Sequence, residues 1–412
     1  MDITIQPGKL SGHLTAIPSK SQAHRLLICA AFAATPTTLI CPDTNRDIEA
    51  TVDCLNALGA DISQNHEGYV IRPIETVPET AVLNCCESGS TLRFMLPIVG
   101  ALGVDAVFQM AGRLPQRPLS PLWEEMERMG CVLTRPTADT IRCCGRLQPG
   151  DYSIDGGVSS QYITGLLFAL PLIDGETNLF VTGKLESRPY VTMTERAIAL
   201  FGGPGHPSPG TITVEGDWSN GAFFLAAKAL GNDIEVSNLN PNSPQGDRAA
   251  ADLLPRLEEN ITIDASDIPD LVPILSITAG AKKGATFTNI QRLRIKESDR
   301  VASTIAMIEA LGGRAESTAD TLTVHGTGYR GGTVDAQNDH RIAMSAAIAA
   351  TICTEPVTVI GAEAVKKSYP KFWDEYKRLS QNDLSLRTSP QTGVAISFDD
   401  GDSHASVSTG SE

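Results

Sequence analysis

The residues best placed to do chemistry form a short run, Arg294-Ile295-Lys296-Glu297-Ser298-Asp299-Arg300. Read as a helix, it sets Lys296 and Arg300 one turn apart on one face, with Glu297 beside them. An isolated run of this kind reads equally well as a surface ion-pair ladder. Two contexts favour a binding role. The run follows a strand-like Ala285-Thr286-Phe287-Thr288-Asn289-Ile290, and the other half of the chain offers Lys20 and Arg25 behind a capped helix start. Lys20, Arg25, Arg93, Arg117, Lys296, Arg300, Arg341 and Lys367 all lie in or beside loop-to-helix junctions or turns flanked by Gly and Pro. Acidic proteins usually spread their cations over solvated helix faces. Concentrating them at junctions suits a small, highly anionic ligand, because a planar guanidinium binds carboxylate or phosphate through two parallel hydrogen bonds.

The elements that must position these residues recur. Six polar loops run straight into apolar, helix-length segments. They are Pro18-Ser19-Lys20-Ser21, Glu87-Ser88-Gly89-Ser90-Thr91, Gly157-Val158-Ser159-Ser160-Gln161, Gly216-Asp217-Trp218-Ser219, Ser266-Asp267-Ile268-Pro269-Asp270 and Gln337-Asn338-Asp339-His340-Arg341. From Lys20 through Gly89, Ser160, Ser219 and Pro269 to Arg341 the steps are 69, 71, 59, 50 and 72 residues. Ser, Asp, Asn and Gly cap helix N-termini, and a helix N-terminus carries unpaired N–H groups and partial positive charge that attract anions. A second marker keeps phase with the first. Gly59, Gly130, Gly202 and Gly312 each close a helix, where glycine takes the left-handed conformation cheaply. Each unit reads strand, capped helix, strand, helix, Gly stop, strand; the fifth slot, Leu253 to Asn260, has the helix without the stop.

Composition sets the outer limits. A chain of 412 residues that is 42% hydrophobic and 20% charged is globular and too long for one ordinary core, so two domains are expected. No apolar run reaches membrane-spanning length, and Met1-Asp2-Ile3-Thr4 starts a strand rather than a signal peptide. The net charge of −15 argues against nucleic acid or an anionic membrane as a partner. The nine Cys show no C-x-x-C and the seven His never stand at i, i+4, which argues against a zinc site or a disulfide framework and for a reducing cytoplasm. A monomer acting on small anionic substrates, with no metal and no cofactor, is the expected state. After about Leu379 the pattern dissolves into Ser, Thr, Asp and Gly, so residues 379–412 are expected to form a disordered tail.

Ten segments in order carry a family resemblance. They are Pro18-Ser19-Lys20-Ser21 with Arg25, Ser88-Gly89-Ser90-Thr91-Leu92-Arg93, Arg117-Pro118, Ser159-Ser160-Gln161, Ser187-Arg188-Pro189-Tyr190, Glu215-Gly216-Asp217, Ile268-Pro269-Asp270, Lys296-Glu297-Ser298-Asp299-Arg300, Asp339-His340-Arg341-Ile342-Ala343-Met344 and Lys367-Ser368-Tyr369-Pro370. Over roughly residues 1 to 378 the chain resembles the EPSP synthases (3-phosphoshikimate 1-carboxyvinyltransferases). The resemblance implies an α/β fold, a two-lobed inside-out α/β barrel of six βαβαββ units. One lobe would comprise residues 1–19 with 218–378 and the other residues 20–217, the six helix N-termini facing the cleft between them.

The implied reaction joins shikimate 3-phosphate to phosphoenolpyruvate and releases phosphate. By resemblance, Asp270 accepts the hydroxyl proton, Glu297 donates to the methylene and Lys20 assists both steps. A carboxyl serves as the acid only if its pKa is raised. Lys20, Ser21, Arg25, Ser159, Ser160, Gln161, Ser187, Asp270 and Lys296 would hold the sugar phosphate. Lys20, Gly89, Arg93, Arg117, Gln161, Arg300, Arg341 and Lys367 would hold phosphoenolpyruvate, and the inhibitor glyphosate would share that site, with Gly89 leaving it room. Mutual repulsion of the cations across the cleft should favour an open form. The chain departs from the family at Arg292 and Glu87, where Asn is usual in both, and at Phe94. The stretches Tyr190 to Glu215 and Leu253 to Asp270 are short, so two of the six units look trimmed. A UDP-sugar enolpyruvyl transferase would have Lys-Asn in place of Lys20-Ser21 and a Cys between Ala111 and Pro118. A degenerate phospho-ligand binder would have no use for Asp270, Glu297 and Lys20 together.

Overall fold

Apolar residues on every side of a helix leave it no solvated face. The Val272–Ala281 helix, VPILSITAGA, has nine buried residues among its ten, and the His340–Ala350 helix is buried throughout. The strands instead alternate between buried and exposed or half-buried residues, as along Cys131–Thr134 and Thr321–His325, so each sheet has one packed and one solvated face. Helices therefore lie inside and sheets outside. The computed structural model describes residues 1–380 and 385–387.

Among the described residues six sheets form the outer layer, one for each repeat. In two of them a complete βαβαββ unit is contiguous in the chain. Thr80–Asn84 runs parallel to Asp105–Gln109, and the hairpin Cys131–Thr134 with Thr140–Gly145 closes antiparallel on it. Ile261–Asp264, Gly284–Thr288, Arg314–Ser317 and Thr321–His325 repeat that order. Two further four-stranded sheets borrow a distant segment: Thr211–Thr213 joins Thr37–Ile40, and Asp2–Ile5 joins Val357–Ile360. The remaining two sheets have only two strands, Gly150–Asp155 with Thr177–Thr182 and Ser11–Thr15 with Asp233–Ser237. These are the trimmed units: each is a parallel pair without the closing hairpin, the first joined by the Ser160–Ala169 helix and the second assembled from strands on either side of the excursion into the other core.

Two hydrophobic cores form. One gathers buried residues from Ala23 to Val214; the other gathers Ile3 to Leu14 with Ala222 to Leu379. The chain crosses between them twice, side by side. Pro18 bridges Gly216, Ser19 N donates to Glu215 O at 2.8 Å and Asp217 N donates to Ile17 O at 2.8 Å. Gln245 locks this crossing from the second core, its Nε2 donating to Glu215 Oε1 and Gly216 O while its Oε1 accepts from Ser19 Oγ and Trp218 N.

Five of the six leading loops cap their helices with a side chain. Ser19, Ser88, Ser159, Asp217 and Asp339 accept from the first-turn N–H groups of Gln22, Thr91, Gln161, Asn220 and Arg341. The fifth loop is the exception. Its helix starts later, at Val272, with no side-chain cap and Pro273 in the first turn, which leaves the Asp270 carboxylate free for other partners. The four Gly stops hold φ between +73° and +109°.

Two sequence expectations change. Lys296 to Asp299 do not lie on a helix. Gln291–Ile295 is a short 3-10 turn, Lys296 is extended, and the helix begins at Arg300 because the Asp299 side chain caps it through Ala302 N. In addition, Ser385–Arg387 pair antiparallel with Asp2–Ile5, so the expected disorder does not start at residue 379; an open strand edge recruits backbone without needing apolar side chains. The rest of the expected tail lies outside the described residues.

Candidate active site

The loops that lead the inner helices converge on one cleft between the two cores. It is lined by Lys20, Ser21, Arg25, Gly89, Arg93, Arg117, Ser159, Ser160, Gln161, Ser187, Asp270, Lys296, Glu297 and Arg341 among others. Of the residues expected from the sequence, Arg300 and Lys367 are not part of this lining: Arg300 lies beneath it, and Lys367 is paired with Glu87 beside it. Arg300 is 1% exposed and underlies three carboxylates. Its Nη1 donates to Asp270 Oδ1 at 2.7 Å, Nη2 to Glu297 Oε2 at 2.6 Å and Nε to Asp339 Oδ2 at 2.9 Å. Being the first residue of its helix, Arg300 can turn its side chain back over the capping loop. Arg341 Nη2 donates to Asp270 Oδ2 at 2.9 Å, and Arg117 Nη1 stands 3.7 Å from Glu297 Oε1.

These pairs decide the charge states. Burial works to raise the Asp270 pKa, but Arg341, Lys296 and Arg300 outweigh it and hold the carboxyl well below its ordinary range. Burial likewise works against the Glu297 carboxylate, and Arg300 and Arg117, with His340 and Lys296, hold it well down. The raised pKa that an acid role requires is therefore not a property of Glu297 in this arrangement. Lys20 keeps its proton. Burial opposes the charge, yet Asp47, with its Oδ2 2.9 Å from the ammonium, raises the pKa overall.

Lys296 is the opposite case. Burial lowers its pKa to about 8, against the pull of Asp270, with Arg292 and Arg300 adding to the fall. Nearby, Arg292 Nε pairs with Glu186 Oε2 at 2.8 Å and its Nη2 donates to Ser187 Oγ, while its buried Nη1 has no hydrogen-bond partner. Ser187 sits in the left-handed region, φ +55°, held there by Ser266 O.

Arg25 and Arg93 shape the walls. Arg25 donates to Thr194 Oγ1, Ser21 O and Tyr190 O and stacks near the Phe94 and Tyr190 rings. Arg93 reaches Gln161 Oε1 at 2.8 Å and Pro118 O. A Cβ on Gly89 would come within 2.7 Å of a guanidinium nitrogen of each of Arg117 and Arg93; only glycine lets both cations close over that helix start. Phe94 is a core residue, edge-on to Phe168 and His24.

The expected repulsion across the cleft is not what the charges do, because carboxylates neutralise them. Glu87 pairs with Lys367, Arg117 with Glu297 and Arg292 with Glu186, each from one core to the other. Asp47 and Glu186 escaped the sequence reading; the capping Asn45 just before Asp47 was the only local signal for it. Among the described residues no group of three or more His, Cys, Asp or Glu is placed to hold a metal ion, and no helix is long and apolar enough to cross a membrane.

A family model described as EPSP synthase (3-phosphoshikimate 1-carboxyvinyltransferase) matches residues 5–267 and 256–376. A protein of Clostridium kluyveri named 3-phosphoshikimate 1-carboxyvinyltransferase is 35% identical over 412 aligned residues, covering 92% of this chain and 97% of that protein. A protein of Clostridium beijerinckii with the same name is 36% identical at the same coverage. Among solved structures, an EPSP synthase from Acinetobacter baumannii superposes with a TM-score of 0.76 at 23% identity, over 93% of this chain and all of that one. The enolpyruvyl transferase NikO from Streptomyces tendae gives 0.71 at 17% identity, over 94% of this chain and 99% of that one. At these identities the two structures speak for the fold alone.

Proposed function

This chain belongs to the EPSP synthase family, and we propose that it transfers the enolpyruvyl group of phosphoenolpyruvate to the 5-hydroxyl of shikimate 3-phosphate, releasing phosphate on the route to chorismate and the aromatic amino acids. One observation carries the assignment of roles: two cleft carboxylates, Asp270 and Glu297, hang from the single buried guanidinium of Arg300.

In the addition step the 5-oxygen attacks C2 of phosphoenolpyruvate, its proton passes to Asp270, and C3 takes a proton from Glu297, giving a tetrahedral ketal. In the elimination step C3 returns a proton to Glu297, the C2–O bond to phosphate breaks, and the departing phosphate takes the proton held by Asp270, which restores both carboxyl groups. Asp270 is ionised at neutral pH, as an acceptor must be. Its hydrogen bonds to Arg300 and Arg341 orient it and also weaken it as a base, so the incoming hydroxyl needs Lys20 close by to stabilise developing negative charge. Glu297 lacks a proton while Arg117 and Arg300 serve it alone. A phosphoenolpyruvate anion drawn to Arg117 and Arg341 compensates those cations and adds negative charge beside the carboxylate, which moves its pKa upward, toward the acid it has to be.

Ser159, Ser160, Ser187 and Lys296 are assigned to the sugar phosphate, Ser21 and Arg25 to the ring carboxylate, and Gly89, Arg93, Gln161, Arg300 and Lys367 to the enolpyruvyl side. The trimmed units do not weaken this reading, since what they lack is an outer hairpin. Their inner helices, Ser160–Ala169 and Trp218–Ala229, still bring capped N-termini to the cleft. A non-catalytic binder is therefore the poorer account, and Lys20-Ser21 with no Cys from Ala111 to Pro118 disfavours a UDP-sugar substrate. The enzyme is read as a cytoplasmic monomer. Phosphate release on mixing shikimate 3-phosphate with phosphoenolpyruvate tests the proposal. Release with either substrate alone, or none with both, overturns it.

A further inference from the structure

Glu87 is an odd residue for an anion site. It lies two positions before Gly89, and its carboxylate crosses the cleft: Oε2 is 2.7 Å from Lys367 Nζ and accepts from Asn338 Nδ2 at 3.2 Å, while Lys367 also donates to Asn338 O at 2.9 Å. The two loops that meet here are both built for it. On one side Cys86 holds φ +48°, and Gly112 at φ +56° lies so close that a Cβ there would fall 2.5 Å from the Glu87 carboxyl carbon. On the other side Gln337 and Asn338 hold φ +49° and +57°. Left-handed non-glycine residues on both faces of one contact are backbone strain that the surrounding structure has to maintain. Beside it, Arg113 Nη1 donates to Glu297 O at 3.3 Å, a second link across the same rim.

We infer that Glu87 is an internal competitor for phosphoenolpyruvate, a latch whose carboxylate occupies Lys367 until an anionic oxygen of the substrate displaces it. The inference rests on the enolpyruvyl-transfer reading above. Lys367 cannot serve both anions with full strength, so each substrate molecule exchanges one ion pair for another, and net affinity is what remains of the difference. The exchange also loosens the rim, since Glu87 is shared by Lys367 and Asn338. Displacement then couples phosphoenolpyruvate binding to relative movement of the two halves.

The test compares wild type with Glu87→Gln, Lys367→Met and the double variant in steady-state kinetics, with inorganic phosphate binding by calorimetry beside it. The latch predicts that Glu87→Gln lowers the KM for phosphoenolpyruvate by roughly threefold or more and leaves the KM for shikimate 3-phosphate alone. In the Lys367→Met background the same change does nothing. Inorganic phosphate should bind Glu87→Gln more tightly than wild type. A KM for phosphoenolpyruvate that rises, or stays put in both backgrounds, shows that Glu87 only positions Lys367 and overturns the latch. Asn338→Gly, which removes the orienting amide and suits the left-handed backbone, should shift KM in the same direction by less. If wild type turns over no substrate, the functional reading fails; the phosphate titration still decides whether Glu87 competes for Lys367.

Discussion

The two flanks of the cleft manage charge in opposite ways. Around Arg300 nearly every cation already holds an acid: Asp270, Glu297 and Asp339 on Arg300, Asp270 again on Arg341, and Glu87 on Lys367. Around Ser187 the acids run short. Among the described residues Glu186 is the one acid in ion-pair contact with Arg292, with Asp270 and Asp267 acting from farther off; Arg292 Nη1 has no hydrogen-bond partner, and Lys296 is driven toward neutrality. The first flank is an ion-pair web completed before substrate arrives, and two of its acids, Asp270 and Glu297, are the groups that must move protons. The second is an under-neutralised cradle that suits a dianion, because a phosphate supplies the charge the protein leaves out. A site that both binds and reacts needs both designs, preorganised where protons move and unsatisfied where the anchor lands.

The sharpest way to break the comparison is to remove the hub of the finished web. Arg300→Gln strands Asp339, which is wholly buried, together with Asp270 and Glu297. Losing one partner of a buried network costs about 3–5 kcal/mol, so urea unfolding should show a stability loss of that order. A loss under about 1 kcal/mol would mean that the carboxylates relax into water and the web is looser than its distances imply. Glu297→Gln keeps shape and removes one charge. It should cut kcat by ~10²-fold or more while the KM for shikimate 3-phosphate holds; a kcat within a few-fold of wild type would remove Glu297 from the proton path.

What the sequence disclosed follows from interaction range. Caps, Gly stops and strand alternation are local, and Ser19, Ser88, Ser159 and the four stop glycines could be read off directly. The two trimmed units showed as shortened spacings. The pairing of charges did not show, because it joins distant segments: Glu87 with Lys367, Glu186 with Arg292, Asp47 with Lys20. The misjudged helix at Lys296 has the same origin. Periodicity there suited a helix, but Asp299 caps the next one and Arg300 is drawn into the web. Asp270 stood inside a cap-like loop, and only its ties to Arg300 and Arg341 show why it does not cap.

The cradle is probed by Arg292→Ala. A charge-assisted hydrogen bond to the anchor phosphate should be lost, raising the KM for shikimate 3-phosphate about tenfold or more and leaving the KM for phosphoenolpyruvate within twofold. Equal effects on both substrates would show that Arg292 acts through the cleft's overall field rather than on one anchor, and the distinction between flanks would weaken.

The smallest expected effect is discriminating because Lys296, on the cradle flank, is brought within reach of neutrality. Lys296 has its pKa lowered from 10.5 to about 8 by burial first, with Arg292 and Arg300 contributing. The folded protein thus gives up this proton more readily than the unfolded chain. Its stability should rise with pH between about 8 and 10.5, where the unfolded lysine is still charged. Substrate affinity runs the other way. A phosphate dianion binds the ammonium form, so the Kd for shikimate 3-phosphate should double by about pH 8 and then climb toward tenfold per pH unit. The pKa values of Arg300 and Arg341 are raised by their acids, so both stay protonated throughout that range and phosphoenolpyruvate affinity, measured at saturating shikimate 3-phosphate, should stay nearly flat from pH 7 to 9. Lys296→Arg, which cannot lose its proton, should flatten the first profile and leave the second unchanged. Parallel pH profiles for the two substrates in wild type would mean that Lys296 stays charged in the empty cradle, and that the acids around Ser187 neutralise it after all.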